Sequence, residues 1–403
     1  FVLAAVAALF SALSYAEMAS AVPASGSSYS YAYVTLGEIV AWAVGWMLML
    51  EYGVSVAAVA VGWGEYLNQF LSAFGVTIPP QFANPPGDGG VFNVPALLVV
   101  FLCTILLIRG ASESARWNTV MVILKIGILV FFSVVAFTAF DGSNLTPFLP
   151  LGLAGVTAAA GQVFFSYIGF DAASTAGEEA KNPRRDLPIA IIGSLIVVTA
   201  LYLIVTLAAL GAQDWTLDEG QGSEAVLSTI ADRAVGGQWA GTLIALGAII
   251  SIFSVVLVTL YGQTRILFAM GRDGLLPKVF TRVSPRSQTP VANTIIVSCL
   301  IAIPAAFVSL GQLAEATSIG TLGAFAVVNI GVIVLRRRRP DLPRGFKTPL
   351  FPLMPILGIL LIVVIVAGLD PVTWLVFAIW MVVGLAIYFA YSRRHSVLGK
   401  DTF

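Results

Sequence analysis

Long runs of apolar residues alternate with short polar segments along the whole chain. The runs span 1–20, 36–71, 92–108, 116–140, 152–177, 187–211, 237–270, 292–309, 314–335, 350–369 and 372–391. A helix needs roughly 20 apolar residues to cross a hydrocarbon core of about 30 Å. Backbone polar groups in lipid must be satisfied within the spanning structure, and the runs lack the alternation of barrel strands. The pattern therefore predicts eleven membrane-spanning helices.

Composition supports this assignment and excludes several other classes. The chain is 58% hydrophobic and only 10% charged, and its net charge is zero, whereas soluble domains are about 25% charged. The balanced charge gives no indication of a nucleic-acid partner. The two cysteines and the single histidine, His395, have no spacing typical of a metal site or a disulfide framework.

The basic residues predict the orientation in the membrane. If successive runs alternate in direction, all but two of the 21 Lys and Arg residues fall on one side. The exceptions are Arg233, on the opposite side, and Lys125, within a run. Because cytoplasmic loops are rich in Lys and Arg, this side is predicted to be the cytoplasm, and the C-terminus lies there. The odd number of crossings suggests that one leading helix is missing from this chain.

Two charged residues lie within apolar runs. Lys125 is near the middle of 116–140, where a charge costs about 2.5–3.5 kcal/mol, and Glu51 is within 36–71. Lys125 is either paired inside the bundle, as a structural ammonium or otherwise, or exchanges a proton because burial disfavours its charge. Glu51 has several open roles: contact with a cationic substrate, proton relay, partner of Lys125, or a neutral group against a helix backbone.

The run at 152–177 contains a pattern typical of a broken helix. Gly169 allows backbone conformations that a β-carbon hinders, and Asp171 and Ser174 are residue types that cap a restarting helix. Transporters often bind substrates where a helix is interrupted near the membrane midplane. The alternative is that Gly169 only eases helix packing.

Several stretches resemble the amino acid–polyamine–organocation transporters, specifically the cationic amino acid transporter branch and its bacterial permeases. They are SYAEMASAVPASGSSYSYAYVTLGE (14–38), GWMLMLEYGVSVAAVAVGW (45–63), YIGFDAASTAGEEAKNPRRDLPIAI (167–191), YGQTRILFAMGRDGLLPKVF (261–280) and TSIGTLGAF (317–325). They occur in order over nearly the whole chain, and several are polar where hydropathy does not require it.

The resemblance implies an all-α fold of two inverted five-helix repeats plus two further helices. Residues 1–140 would hold four helices of the first repeat, whose first helix is absent. Residues 152–335 would hold the second repeat, with its broken helix at 165–171. Two additional helices would lie in 350–391, followed by a cytoplasmic tail at 392–403.

The resemblance also implies a substrate site. Carbonyl groups around Phe165, Ser166 and Ile168 would receive the substrate ammonium, with Phe165 over the substrate as a gate and Gly169 in the break. By family position Thr259 would line the distal pocket, and Glu51 is added as a candidate contact for a cationic side chain because it is a carboxylate within a membrane run. These six are the expected substrate-binding residues.

The resemblance implies a coupling site as well. Lys125 would occupy the position where sodium-coupled relatives bind a cation, so we expect it either to couple transport to protons or to hold the bundle in place of the ion. Glu17, in the family motif YAE, is expected to make a structural contact with loops.

Together these features predict secondary active transport of L-amino acids, cationic or small neutral, across the plasma membrane by alternating access. Coupling is expected to be to protons and not to sodium, with amino acid, proton and membrane lipid as partners and no cofactor or metal. An exchanger and a non-transporting sensor on the same fold are the alternatives. A membrane enzyme is disfavoured because His395, in the polar tail, is the only histidine.

Overall fold

The chain folds as a set of packed helices, most of them apolar. The computed structural model describes residues 1–22, 26–110, 115–178, 180–214, 216, 225–285 and 289–397. The helices are α1 Val2–Ala21, α2 Ser27–Leu36, α3 Glu38–Ser72, α4 Pro80–Ala83, α5 Val94–Ile108, α6 Ala115–Phe137, α7 Gly152–Val163, α8 Pro183–Ala212, α9 Val226–Val235, α10 Trp239–Arg272, α11 Val291–Phe307, α12 Leu310–Arg338, α13 Leu353–Ala367 and α14 Pro371–Ile387.

The apolar helices coincide with the predicted spans. Among the described residues, eight helices are long and apolar enough to cross a membrane, and the shorter apolar helices are α5, α11 and α13. The predicted fold class, an all-α polytopic membrane protein, is thus confirmed. The grouping of these helices into inverted repeats stays a prediction.

Local sequence signals set several of the helix ends. The Asn93 side chain accepts a hydrogen bond from the Ala96 amide at 2.9 Å at the start of α5. Before α14, the Asp370 side chain accepts a hydrogen bond from the Val372 amide at 2.7 Å. Each helix also has a proline in its first turn, where the missing N–H is not needed.

The two larger apolar cores among the described residues hold most of the main helices, and a smaller third core joins α6, α8, α9 and α10. The first core is formed by α3, α5, α10 and α11, with Trp42, Val99 and Leu260 among its buried residues. The second core is formed by α1, α7, α8, α12 and α13, and Phe164 and Phe325 are buried in it. Burial of such side chains contributes about 1.5–3 kcal/mol each in water, but in lipid the close packing itself is the main attraction.

The helix α14 is attached to the first core through tryptophans. Trp46 Nε1 donates to the Trp380 carbonyl at 2.7 Å, and Trp380 Nε1 donates to the Trp46 carbonyl at 3.0 Å. The two rings stack with centroids 4.6 Å apart. A β-carbon at Gly384 would collide with the Trp46 ring, so the glycine allows α14 to approach α3 this closely.

Candidate functional site

The helix that starts at Gly152 is interrupted between its two halves. α7 ends at Val163, a 3₁₀ turn follows at Phe164–Tyr167, and Ile168 is extended. Gly169 has φ +119°, a value in the left-handed region that favours glycine. A second 3₁₀ segment, Asp171–Glu178, then continues the chain. The interruption falls on the predicted residues, and the freed backbone groups need partners from elsewhere in the molecule.

Four contacts satisfy backbone groups in this interruption. The Phe165 carbonyl accepts from the Ile168 amide at 3.2 Å, and the Gly169 carbonyl accepts from the Ala172 amide at 3.1 Å. Asp171 Oδ1 accepts from the Gly169 amide at 3.2 Å. Finally, the Tyr202 hydroxyl of α8 donates to the Ser166 carbonyl at 2.6 Å.

The interruption lies where the two cores meet. The side chains of Phe164, Tyr167 and Phe170 are buried in the second core. Phe165 instead packs half-buried against the first core. Phe165 thus packs against a different core from its neighbours in the chain. Gly169 itself is exposed, so the chain at the interruption remains accessible.

Glu51 is completely buried in α3, and neither of its carboxylate oxygens makes a hydrogen bond. The Thr321 side chain of α12 lies beside it, and the Asp171 carboxylate lies within electrostatic range. Asp171 is also completely buried, and its second oxygen, Oδ2, makes no hydrogen bond. A second carboxylate, at the start of the segment that follows the interruption, therefore lies within electrostatic range of Glu51.

Other buried polar groups surround these two carboxylates. Tyr15 and Tyr31 lie within electrostatic range of Asp171 and beside the side chains of Ser28 and Ser174, respectively. The hydroxyl oxygens of Tyr15, Ser28 and Tyr31 nevertheless make no hydrogen bond of good geometry. We call Tyr15, Ser28, Tyr31, Glu51 and Asp171 the buried polar cluster. Because leaving a buried polar atom unpaired costs about 1–3 kcal/mol, a cluster of them is expensive for a purely structural element.

Lys125 and Thr259 lie on other helices. Lys125 is half-buried in the middle of α6, where a neighbouring group engages it. Thr259 is half-buried on α10, a helix that packs against both α3 and α6. The structure thus places Glu51 within electrostatic range of Asp171, and it places Lys125 and Thr259 on two helices that contact each other.

Glu17, near the end of α1, lies in a different setting. Arg336 donates to both of its carboxylate oxygens at 2.6 Å, and Arg344 Nε lies 3.2 Å from Oε1. The Thr348 amide donates to Oε2 at 2.8 Å. Glu17 therefore joins α1, α12 and the loop before α13, which agrees with the expected contact to loops.

Sequence reasoning missed most of the buried polar cluster and the role of Tyr202. Tyr15 and Tyr202 lie among mostly apolar residues, where a tyrosine is interpreted as a packing residue, and Tyr31 lies in a polar run. The polar run from Ser27 to Tyr33 was a usable signal, because α2 has many hydroxyl groups for a helix whose residues are largely buried. Among the described residues, no group of three His, Cys, Asp or Glu side chains could hold a metal ion.

Comparison with known proteins finds similarity along almost the whole chain. Residues 1–393 match the model of a family described as "Amino acid permease". The chain is 43% identical over 403 residues to the methylthioribose transporter of Bacillus subtilis, covering 99% of this chain and 86% of that protein. It is 45% identical over 404 residues to the branched-chain amino acid permease BcaP of B. subtilis, with the same coverage. It is 39% identical to the vacuolar cationic amino acid transporter 4 of Arabidopsis thaliana, covering 85% of this chain and 57% of that protein.

Proposed function

Because this chain belongs to the amino acid permease family, we propose that it moves L-α-amino acids across the plasma membrane by alternating access. Membership of the family makes it a multi-pass transporter and not an enzyme. The proposal adds that transport is driven by protons and not by sodium, and that the C-terminus is cytoplasmic.

The observation that carries the proposal is the interrupted helix at the contact between the two cores. An amino acid zwitterion needs acceptors for its ammonium and donors for its carboxylate at close range. An interrupted helix supplies both from its backbone, and its half-helix ends add partial charges of the matching sign. The carbonyl groups of Phe165, Ser166 and Ile168 are the proposed acceptors, and Gly169 lets the chain turn there.

The side chain of the substrate would point toward α3 and α10. Glu51 supplies a negative charge for a cationic side chain, and Thr259 leaves room that a larger apolar residue would fill. Relatives are named for branched-chain and for cationic amino acids, so the proposed substrates are cationic and small or branched neutral L-amino acids. Methylthioribose is named as the substrate of another relative, so it should be included as a competitor whenever substrates are compared in uptake assays.

Coupling is proposed to rest on Lys125. A lysine in the middle of a membrane helix can replace a bound cation when it is protonated and can release the helix packing when it is not. The buried carboxylates Glu51 and Asp171 offer a second place where a proton can reside, because two close carboxylates are more stable when they share one proton. A protein that only exchanges one amino acid for another would need neither Lys125 nor these carboxylates as a proton site.

Uptake by the purified full-length protein in liposomes tests this function. We expect labelled L-leucine or L-arginine to accumulate when the outside is acidic, and to accumulate equally when sodium is replaced by choline. Accumulation that needs preloaded amino acid and ignores the pH gradient would instead show an exchanger. Binding without accumulation would show a sensor, and uptake of methylthioribose alone would move the substrate out of the amino acids.

The variant Lys125→Ala tests the coupling residue. We expect it to abolish the pH dependence of uptake, while counterflow of amino acid at equal pH is reduced less. Lys278→Ala makes the same change at an exposed residue and serves as the control. If Lys125→Ala keeps both uptake and its pH dependence, proton coupling does not depend on this lysine.

A further inference from the structure

The Tyr202 side chain ties α8 to the interrupted helix at one backbone atom. Its hydroxyl donates to the Ser166 carbonyl at 2.6 Å, which is a short and therefore well-formed hydrogen bond. In a continuous helix this carbonyl would accept from the amide of residue 170. That bond cannot form with standard helical geometry, because Ile168 is extended and Gly169 has φ +119°.

The ring of Tyr202 is held in place as firmly as its hydroxyl. It lies edge-on against the Tyr167 ring, with centroids 5.4 Å apart and planes at 81°. Tyr167 also contacts Thr199, one turn earlier on α8. One face of α8 therefore fixes two consecutive residues of the interruption, Ser166 through its backbone and Tyr167 through its side chain.

A carbonyl oxygen has two lone pairs, and the tyrosine occupies only one of them. The other remains available to a cationic donor, such as the ammonium group of an amino acid. A donor that already holds the carbonyl also fixes the direction in which its free lone pair points. A rigid acceptor binds more tightly because little ordering remains to be done when the ligand arrives.

We infer that Tyr202 is a positioning residue for substrate recognition: its hydroxyl fixes the Ser166 carbonyl so that this carbonyl receives the ammonium group of the amino acid. The inference rests on the proposed transport of amino acids and adds a residue that selects for a primary ammonium. Tyr202 need not touch the substrate, because it acts through the carbonyl.

The variant Tyr202→Phe isolates the hydroxyl, because the ring and its contact with Tyr167 stay. We expect the KM for labelled L-leucine in liposomes to rise about tenfold, the effect of one well-placed hydrogen bond to a charged group, with Vmax changed less than about twofold. L-arginine replaces L-leucine if the wild type prefers it. Tyr261→Phe makes the same chemical change on an exposed residue of α10 and should leave the KM unchanged.

A second readout separates positioning from general loosening. N-methylated L-leucine has one N–H fewer on its ammonium group, so a rigid carbonyl should reject it and a released carbonyl should tolerate it. We expect the ratio of its inhibition constant to that of L-leucine to fall at least about threefold in Tyr202→Phe. This ratio does not depend on how much of the variant is folded.

Two results overturn the inference, and they differ in what else they overturn. Wild-type uptake of L-leucine or L-arginine with an unchanged ratio in Tyr202→Phe overturns the role of Tyr202 alone. A lower KM in the variant would do the same, since it would show that the hydroxyl competes with the substrate. A wild-type protein that accumulates neither amino acid overturns the proposed function and this inference with it.

Discussion

Glu17 and Glu51 are both buried glutamates, but the regions around them are built in opposite ways. Glu17 is contacted by two arginines and a backbone amide, so its charge is neutralised and its oxygens are bonded. Glu51 is completely buried, its oxygens make no hydrogen bond of good geometry, and the Asp171 carboxylate lies within electrostatic range of it. The arrangement at Glu17 holds helices together. The arrangement at Glu51 costs folding free energy, which is expected only where a ligand or a proton binds and leaves.

The comparison teaches that burial alone does not reveal the role of a charge. A carboxylate with fixed partners favours one arrangement of the helices that carry them. Removing one partner leaves the other charge buried and unpaired. A carboxylate without partners keeps its bonding capacity for something that comes and goes. We therefore expect substitutions at Glu17 to affect stability first, and substitutions at Glu51 to affect transport first.

The largest effect is expected for Glu17→Ala. It leaves Arg336 and Arg344 without their shared anion, and the Arg344 side chain is only 4% exposed. The loss of stability should be about 3 kcal/mol or more, seen as a lower unfolding temperature in detergent and a lower folded yield. An unfolding temperature equal to that of the wild type would show that this region does not hold the fold together.

The next largest effect is expected for Glu51→Gln, on uptake and not on stability. The amide cannot carry a negative charge, and it cannot take up and release a proton. Uptake of amino acid should therefore fall at least about tenfold, equivalent to about 1.4 kcal/mol. The unfolding temperature should stay the same or rise, because a buried carboxylate without partners is replaced by a neutral group. If it falls as far as in Glu17→Ala, the contrast between the two glutamates is wrong.

A smaller effect is expected for Arg336→Lys, which keeps the charge and removes the fork geometry. The arginine donates to both oxygens of Glu17 and also lies over the Phe351 ring, 4.3 Å from its centroid. A lysine cannot make both hydrogen bonds in this arrangement, and we expect a loss of about 1 kcal/mol. Uptake per folded molecule should not change, which is measured in parallel with the unfolding temperature.

The smallest effect is expected for Asp141→Asn, at the surface. The amide and hydroxyl of Ser143 hold the pKa of the Asp141 carboxyl below its ordinary value. A lowered pKa stabilises the folded protein above the ordinary pKa of the group, and this contribution is lost as the pH falls through the folded value. The variant should lose only this slight acid sensitivity of the unfolding temperature, and uptake at neutral pH should equal that of the wild type.

The outcomes at individual residues show where sequence reasoning reaches its limit. Gly169 and Asp171 marked the interruption because glycine and a capping residue in an apolar run are local signals. Glu17 was expected to contact loops, and it does, but its arginine partners lie more than 300 residues away along the chain. Glu51 was recognised as unusual, yet its neighbour Asp171 could not be chosen from several acidic residues.

What the sequence by itself determined is the set of apolar spans and the place of the interruption, and the orientation that it indicates stays a prediction. Each depends on the transfer free energy or backbone preference of neighbouring residues, which add up along a short stretch of chain. Only the tertiary structure decided that Tyr202 reaches the Ser166 carbonyl, that Glu51 lies within electrostatic range of Asp171 and that Glu17 pairs with Arg336. The physical reason is that hydrogen bonds and ion pairs form over a few ångströms, and the packing of distant helices sets which groups come that close.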